Sequence, residues 1–331
     1  MNKENNLVDV TSMPNSPLYK WFGENNMVKS LVKEQKLYKT WSHVYKVYSE
    51  NSCAFADLKN PTEENIKSII KETFGITSNC FGKKFHEAIS GDGQELQKIA
   101  VLHSSSLIAL LCFYRVNEQP LTMTIDGIEC TFTKSYLECK NEIENNPHPS
   151  NIDVVLTGKN AKNESVILFL ESKFSEYLTG GKKDEIKGYV YDEIYEAIGQ
   201  LDNLKIQKEN DMWSISSNSN TQHYCDGIKQ MISHYLGVTN GFKKGHWGLS
   251  DTFNCADYQK VYLGEILFHF DDDIDNGKYD DYNALYRQLS SKLNAISKDN
   301  KLTVLPNVLS YQEIFSNSLL LDDKVKDFYC L

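Results

Sequence analysis

The sequence predicts an α/β protein in which helices flank a mixed sheet. The expected elements run from a helical region through several strands to helices and a further strand, an order that favours a layered α/β fold over a bundle or a sandwich. Five consecutive apolar residues, 166–170, are typical of a strand that is covered on both faces. Residues 107–113 are almost wholly apolar, as expected for a helix at the centre of a core.

The first 80 residues predict a helical extension that precedes the main domain. Residues 27–48 have apolar side chains at close to helical spacing, and lysines occupy many of the other positions. A second helix is expected from Pro61 to Phe74, with acidic residues in its first turn. Residues 81–331 are then expected to form one domain.

The elements of that domain follow in order. A helix is expected at 94–114, and Asp126-Gly127 predicts a hairpin turn between the first strands. Strand patterns occur at 121–125, 128–133, 135–139, 152–156, 166–173, 260–270 and 302–305. Helical patterns occur at 190–204, 226–236, 282–296 and 312–320, and the Ser/Asn-rich stretch 210–222 predicts a surface loop.

The composition of the chain indicates the cellular location of the protein and the redox state of its cysteines. Of 331 residues, 40% are hydrophobic and 24% are charged, values that are ordinary for globular proteins. An apolar run of about 18 residues, the length needed to cross a membrane, is absent from the sequence. The first residues are polar and unlike a signal peptide, and eight scattered cysteines form no CxxC pair, so we expect a cytoplasmic protein with reduced thiols.

The net charge bears on possible nucleic-acid partners. With 35 basic and 45 acidic residues the chain carries a charge of -10, whereas a non-specific nucleic-acid binder is usually basic. An enzyme that acts on nucleic acid needs only a local positive groove, and a bound divalent cation offsets carboxylates in its site. The acidic balance therefore does not exclude a nucleic-acid substrate.

Three charged residues lie in segments that otherwise have the pattern of buried strands. Asp153 lies in the strand 152–156, and Glu171 and Lys173 share one face of the strand 166–173 at about 6.6 Å spacing. A buried charge costs several kcal/mol unless it is paired or bound to a metal. Two carboxylates, together with the backbone carbonyl of Ser172, are suitable ligands for Mg²⁺, with Mn²⁺ as the expected substitute.

The lysine suggests a role in the same chemistry. A lysine that is partly buried beside a metal has a lowered pKa, so Lys173 is expected to orient or deprotonate a water molecule. The combination of Asp153, Glu171 and Lys173 indicates a metal-dependent phosphodiesterase. A bare ExK tripeptide is usually part of a solvated helix. The apolar strand around Glu171 and Lys173 is the observation that favours a functional site here.

These segments resemble the PD-(D/E)xK nuclease superfamily, which has the restriction-endonuclease-like fold. The resemblance rests on Pro149-Ser-Asn-Ile-Asp153 followed by Leu170-Glu-Ser-Lys-Phe174, and it extends over roughly residues 80–320. It implies an αβββαβ core, metal ligation by Asp153 and Glu171, and a water-positioning base at Lys173. It also implies that Glu95 is the acidic residue of the first core helix. Asn151-Ile152 separates the proline-containing loop from Asp153, so the Pro-Asp dipeptide of the family motif is absent.

Two further groups are weaker candidates. Gln230 and His234 lie one helical turn apart and so share a helix face that can turn toward the site, Gln230 as a catalytic residue and His234 as a substrate contact. The alternative for both is a surface or core contact. Lys182, Lys183 and Lys187 follow the Glu171 strand in a glycine-containing segment, where they are candidates for phosphate contacts or are simply solvated.

The sequence thus favours a Mg²⁺-dependent nuclease whose partner is nucleic acid, DNA rather than RNA, acting alone or as a homodimer. The alternative is a catalytically inactive nuclease-like domain that binds nucleic acid or protein. Intact acids and lysine favour the enzyme, because a binding module has no need to bury three charges together. For Glu95 the alternative is a helix-start acid stabilised by the helix dipole, which is worth ~0.3–1 kcal/mol.

Overall fold

The computed structural model describes residues 7–8, 13–40, 52–59, 61–91, 95–178, 184–186, 192–202, 204–209, 212–217, 224–249 and 253–331. The chain divides into two compact units. The first unit comprises Met1–Arg115, Asp271–Ile274 and Tyr311–Leu331, and the second comprises Val116–Phe270 and Asp275–Ser310. This division differs from the predicted boundary at residue 80, because residues 81–115 and the last residues of the chain pack with the first unit.

Helices and strands account for most of the described residues. The helices are α1 Pro17–Glu24, α2 Asn26–Lys33, α3 Glu63–Phe74, α4 Phe81–Ala88, α5 Glu95–Lys98, α6 Ser105–Phe113, α7 Asp192–Ile198, α8 Cys225–Lys244, α9 Asp272–Asp275, α10 Lys278–Ile296, α11 Tyr311–Phe315 and α12 Asp323–Tyr329. The strands are β1 Tyr38–Lys39, β2 Cys53–Ala54, β3 Leu121–Ile125, β4 Ile128–Asn141, β5 Ser150–Asn160, β6 Ser165–Lys173, β7 Asp184–Ile186, β8 Gln200–Leu201, β9 Leu204–Glu209, β10 Met212–Ser217, β11 His246–Trp247, β12 Phe253–Asn254, β13 Lys260–Leu267, β14 Leu302–Val304 and β15 Leu309–Ser310. In these ranges no helix combines the length and the hydropathy that a membrane span requires.

The first unit is mainly helical, as predicted for the start of the chain. The expected helix at 61–74 is confirmed as α3: the Thr62 side chain accepts a hydrogen bond from the first turn, and Gly75 ends the helix with φ 67°. The apolar residues of α6 are buried, as their composition predicts. The predicted helix 27–48 is wrong beyond Lys33, because Gln35 adopts a positive φ of 55° that ends α2; residues 41–48 lie outside the described ranges.

The predicted single helix at 94–114 is two helices, α5 and α6. Ser104 causes α6 to begin as a separate helix, because its backbone is extended and its side chain accepts a hydrogen bond from Leu107 N. Serine is among the residues that most favour this capping position, since its oxygen satisfies an otherwise unpaired backbone N–H.

The second unit is built on a seven-stranded mixed sheet with the order β14-β13-β6-β5-β4-β3, and β15 also pairs with β13. Strands β3 to β6 pair antiparallel, whereas β6, β13 and β14 pair parallel. Helix α8 packs against β4, β5 and β13, and α10 packs against β14. The predicted α/β class with a mixed sheet and flanking helices is therefore confirmed.

Local differences from prediction in this unit have identifiable causes. The hairpin at Asp126-Gly127 is confirmed by positive φ at both residues, and the strand after it continues as one strand through an irregularity between Phe132 and Lys134. The predicted loop at 210–222 is wrong at β10, which joins a four-stranded sheet of order β7-β10-β9-β8. The alternating apolar residues Trp213 and Ile215, both buried, supply the strand pattern.

Candidate functional site

Four acidic residues lie side by side across four neighbouring strands of the large sheet. Glu171 on β6 pairs in register with Glu265 on β13. Asp153 on β5 is the next position beyond the pair Val154–Leu170, which places it opposite Glu171. Glu138 on β4 lies between two pairs that β4 forms with β5, at the position opposite Asp153. Because neighbouring strands are about 4.8 Å apart, these carboxyl groups form one row, which we call the acidic row.

Lys173 is a positively charged residue beside the acidic row, and two side chains hold its ammonium group. Its Nζ donates to Glu171 Oε1 at 2.6 Å and also donates to Gln230 Oε1 on α8. Only 5% of Lys173 and 2% of Glu171 is exposed, so water screens this ion pair weakly. The structure thus brings together Glu171, Lys173 and Gln230, three of the residues that the sequence proposed.

The second oxygen of Glu171 is held by a chain of two side chains. His234 Nε2 lies 2.7 Å from Glu171 Oε2, and Ser150 Oγ lies 2.6 Å from His234 Nδ1. Gly237, one turn further along α8, allows this close packing, since a Cβ there would lie 3.0 Å from the Ser150 side chain. His234 is only 3% exposed and lies against a carboxylate that it orients, and its expected contact with substrate stays a prediction.

Asp153 is the member of the row that retains contact with solvent. The residue is partly exposed, although protein atoms surround its carboxyl group, and Oδ2 accepts a hydrogen bond from Ser172 N at 2.7 Å. Burial raises the pKa of Asp153 well above its usual range, and the charges of Glu171 and Glu138 raise it further. A bound cation would relieve both effects.

The pKa values of Glu171 and Lys173 reflect their mutual attraction. Burial by itself would raise the pKa of Glu171, but the charges and hydrogen bonds of Lys173 and His234 outweigh it and hold the pKa at about 2. For Lys173 burial acts to lower the pKa, but Glu171 and Glu265 raise it above its ordinary value. The expected lowering of this pKa beside a bound metal stays a prediction; with the protein's own charges alone, a protonated Lys173 acts as a hydrogen-bond donor.

Glu265 extends the row in the interior of the unit. The residue is fully buried, its Oε2 accepts a hydrogen bond from Tyr282 at 2.7 Å, and burial raises its pKa to about 8. Tyr282 reaches this position because residue 227 on α8 is glycine: a Cβ there would lie 2.1 Å from the tyrosine hydroxyl oxygen.

The remaining predicted residues lie elsewhere or outside the described ranges. Glu95 belongs to the first unit, where its carboxylate lies 3.2 Å from Lys98 Nζ, and its role at the site stays a prediction. Lys182, Lys183 and Lys187 lie outside the described residues. A cavity of about 590 Å³ is lined by Glu142–Asn146 and by the end of α8, and none of its lining residues belongs to the acidic row.

The donor set of the row fits a hard divalent cation. Mg²⁺ is commonly bound by one or two carboxylates together with waters and substrate phosphates. Asp153 and Glu171 supply such a pair, and each carboxylate oxygen retains a second lone pair beside its present hydrogen bond. Among the described residues no group of three or more His, Cys, Asp or Glu side chains is arranged so that it could hold a metal ion.

Sequence reasoning missed Glu138, Glu265, Tyr282 and Ser150. Glu265 had a usable signal, because it interrupts the apolar strand 261–268 in the same way as Glu171 interrupts its strand. Glu138 and Tyr282 become visible only once strand register and helix packing are known. Ser150 follows a proline in an ordinary polar segment, and nothing in the sequence distinguishes it.

The acidic row, Lys173 and the α8 residues Gln230 and His234 are thus assembled on a mixed sheet with flanking helices. Their grouping depends on strand register and on the close approach of α8 to β5. In comparisons with known proteins, no protein-family model matches this chain, and no curated protein or solved structure matches it either.

Proposed function

We propose that this protein is a Mg²⁺-dependent nuclease that hydrolyses phosphodiester bonds, in DNA rather than RNA, with Mn²⁺ as an alternative metal. The observation that carries the proposal is the assembly of Asp153, Glu171 and Lys173 into one cluster on adjacent strands. Carboxylates crowded together with a charged lysine are costly to bury, and metal-dependent phosphoryl chemistry is a function that uses all three.

The protein's own residues have distinct roles in this proposal. Asp153 and Glu171 would hold the cation, which would polarise the phosphoryl group and lower the pKa of a bound water. Ser150 and His234 fix the orientation of Glu171, since partners of metal-binding groups commonly set their geometry. Lys173, protonated and steered by Gln230, donates a hydrogen bond that positions a water or a phosphate oxygen.

The fold supports the same proposal. In the second unit, strands β3 to β6 are followed by α8 and β13, which is the order of strands, helix and strand that the restriction-endonuclease-like resemblance implies, with four strands rather than three before the helix. We therefore propose that the second unit contains the strands and the later helix of this core, with the lysines Lys182, Lys183 and Lys187 as further substrate-side residues.

The test is a cleavage assay on supercoiled plasmid, linear duplex, single-stranded DNA and RNA, with Mg²⁺, with Mn²⁺ or with a chelator. We expect metal-dependent cleavage, lost in Asp153→Asn and lowered by about 10² or more in Lys173→Met, the usual contribution of a general base or positioning group. Glu129→Gln, a change of an exposed acid on β4, is the matched control and should cleave normally.

The same assay identifies the alternative function. A catalytically inactive module would bind nucleic acid or protein without cleaving any of the four substrates under any metal condition. Cleavage that survives Asp153→Asn would equally contradict the proposed site.

A further inference from the structure

The carboxyl group of Glu265 has one oxygen without a partner. Oε2 accepts the hydrogen bond from Tyr282, but Oε1 is buried and has no hydrogen-bond partner among the described residues. The residue is 0% exposed. A buried polar atom left unpaired is destabilising, so a carboxyl group in this state calls for an explanation.

The surrounding structure is built to keep Glu265 where it is. Tyr282 holds one oxygen, and Gly227 leaves the space that the tyrosine hydroxyl needs. An alanine at position 227 would collide with that hydroxyl, at 2.1 Å. The other oxygen therefore belongs to a carboxyl group that is held by Tyr282 of α10, for which Gly227 of α8 leaves space.

Lys173 is the cation that acts on this carboxyl group. After burial, its charge has the largest effect on the pKa of Glu265, and among the charges that act on the pKa of Lys173, Glu265 follows only Glu171. Glu171 and Glu265 pair directly on parallel strands, about 4.8 Å apart. The flexible four-carbon stem of a lysine allows its ammonium group to pass between two such neighbours while the backbone stays in place.

Lys173 and a metal ion would compete for the same group. The ammonium group now lies 2.6 Å from Glu171 Oε1, and Glu171 is one of the two proposed metal ligands. A divalent cation on Glu171 would repel the ammonium group and take one of its two present acceptors, so that only the neutral Gln230 amide would remain to a buried charge.

We propose that Glu265 is a positioning residue that receives the Lys173 ammonium group when a divalent cation engages Glu171. This inference rests on the proposed function, because it assumes a cation at Asp153 and Glu171. Oε1 of Glu265 is then the second acceptor of the Lys173 ammonium group, and Glu171 is the first. The exchange keeps Lys173 charged and close to the cation.

The test is the binding of Mn²⁺ alone to the full chain, measured by calorimetry in wild type, Glu265→Gln, Lys173→Met and the double variant. We expect Glu265→Gln to weaken Mn²⁺ binding about tenfold, because the ammonium group remains on Glu171. In the Lys173→Met background the same change should have an effect below about twofold, since no ammonium group needs the second acceptor. Glu129→Gln is the matched acid-to-amide control.

Two outcomes would overturn this inference and leave the proposed function standing. One is unchanged Mn²⁺ affinity in Glu265→Gln when wild type binds Mn²⁺ and Asp153→Asn does not. The other is an equal loss in both backgrounds, which would show that Glu265 acts on the cation directly. Absence of Mn²⁺ binding in wild type would instead overturn the proposed function and this inference together. If thermal unfolding shows that Glu265→Gln is not folded, Glu265→Met, which removes the charge and keeps the volume, is measured in its place. The same loss of Mn²⁺ affinity is expected.

Discussion

At the scale of single residues, three carboxyl groups of the acidic row have similar chemistry but different protonation. Glu171 has a pKa of about 2, whereas Glu265 has one of about 8 and Asp153 is also raised. Burial acts on all three in the same direction. The difference comes from Lys173 and His234, which contact Glu171 directly and so stabilise its charge far more than the charges of the other two. Environments that separate the pKa values of neighbouring acids are typical of sites that carry out acid–base or metal chemistry.

Asp153→Asn should stabilise the metal-free protein at neutral pH. A raised pKa means that the folded state favours the protonated form, so stability is present at acidic pH and is lost as pH rises through the folded-state pKa. The asparagine variant, which carries no charge, should escape this loss. We expect its thermal unfolding temperature in chelator to exceed that of wild type at pH 8 and to approach it near pH 4, measured by calorimetry. An asparagine variant that unfolds at a lower temperature than wild type at pH 8 would show that the charge of Asp153 is not repelled.

His103 predicts a pH effect in the first unit. Burial lowers its pKa to about 4, and its Nδ1 lies 3.1 Å from the Tyr19 hydroxyl oxygen. An unfolded histidine has a pKa of about 6.5, so the unfolded state binds a proton first and stability falls as pH drops from about 6.5 toward 4. His103→Gln should flatten this part of the curve of unfolding free energy against pH. A curve with the same slope in both proteins would contradict the assignment.

At the scale of elements, helix α8 determines the geometry of the site. It contributes Gln230 to Lys173 and His234 to Glu171, and it contributes two glycines, Gly227 and Gly237, at close approaches. Side chains one turn apart lie on one face, so a single helix can contact both charged groups of one strand.

Gly227→Ala should be destabilising although alanine favours helices. The new Cβ would lie 2.1 Å from the Tyr282 hydroxyl oxygen, and such overpacking costs about 1–3 kcal/mol. Gly82→Ala is the matched control, because a Cβ at that position in α4 meets nothing within 4 Å and the change should stabilise by up to about 1 kcal/mol.

Addition of Tyr282→Phe to Gly227→Ala should recover part of the loss, since it removes the atom that the new methyl group meets. Chemical denaturation of the single and double variants measures these differences. A double variant as unstable as the sum of its two single changes would show that the clash lies elsewhere.

At the scale of the whole molecule, the two units have separate cores. The first core contains a cluster of four phenylalanine rings in which Phe328 of α12 contacts Phe22, Phe55 and Phe74. These residues are distant in sequence, so α12 packs in the same unit as the early helices α1 and α3. The second core lies around the mixed sheet and its apolar strands.

Phe328→Ala should therefore destabilise the first unit selectively. Removal of a buried phenylalanine side chain costs about 3–5 kcal/mol. Hydrogen exchange should show loss of protection in α1, α3 and α12, while β5, β6 and β13 keep theirs. Equal loss of protection in both groups would show that the two units unfold as one.

Much of the local structure follows from the sequence because its causes are local. The apolar run before Glu171 determines a buried strand, and Asp126-Gly127 determines a hairpin turn through its backbone preferences. Thr62 and Gly75 fix the ends of α3 in the same way. The charges of Asp153, Glu171 and Lys173 were also conspicuous from sequence, since a charge in an apolar strand is costly and demands a partner.

Only the tertiary structure decided what those partners are. Strand register places Glu265 beside Glu171, and helix packing places His234 and Ser150 behind it. It also determines the direction of the pKa shift of Lys173 among the protein's own charges, because burial and neighbouring charges act in opposite directions and distance decides which is larger. A sequence specifies which charges are present and whether their segments are buried. The separations and the hydrogen bonds that set their energies arise only when distant segments pack together.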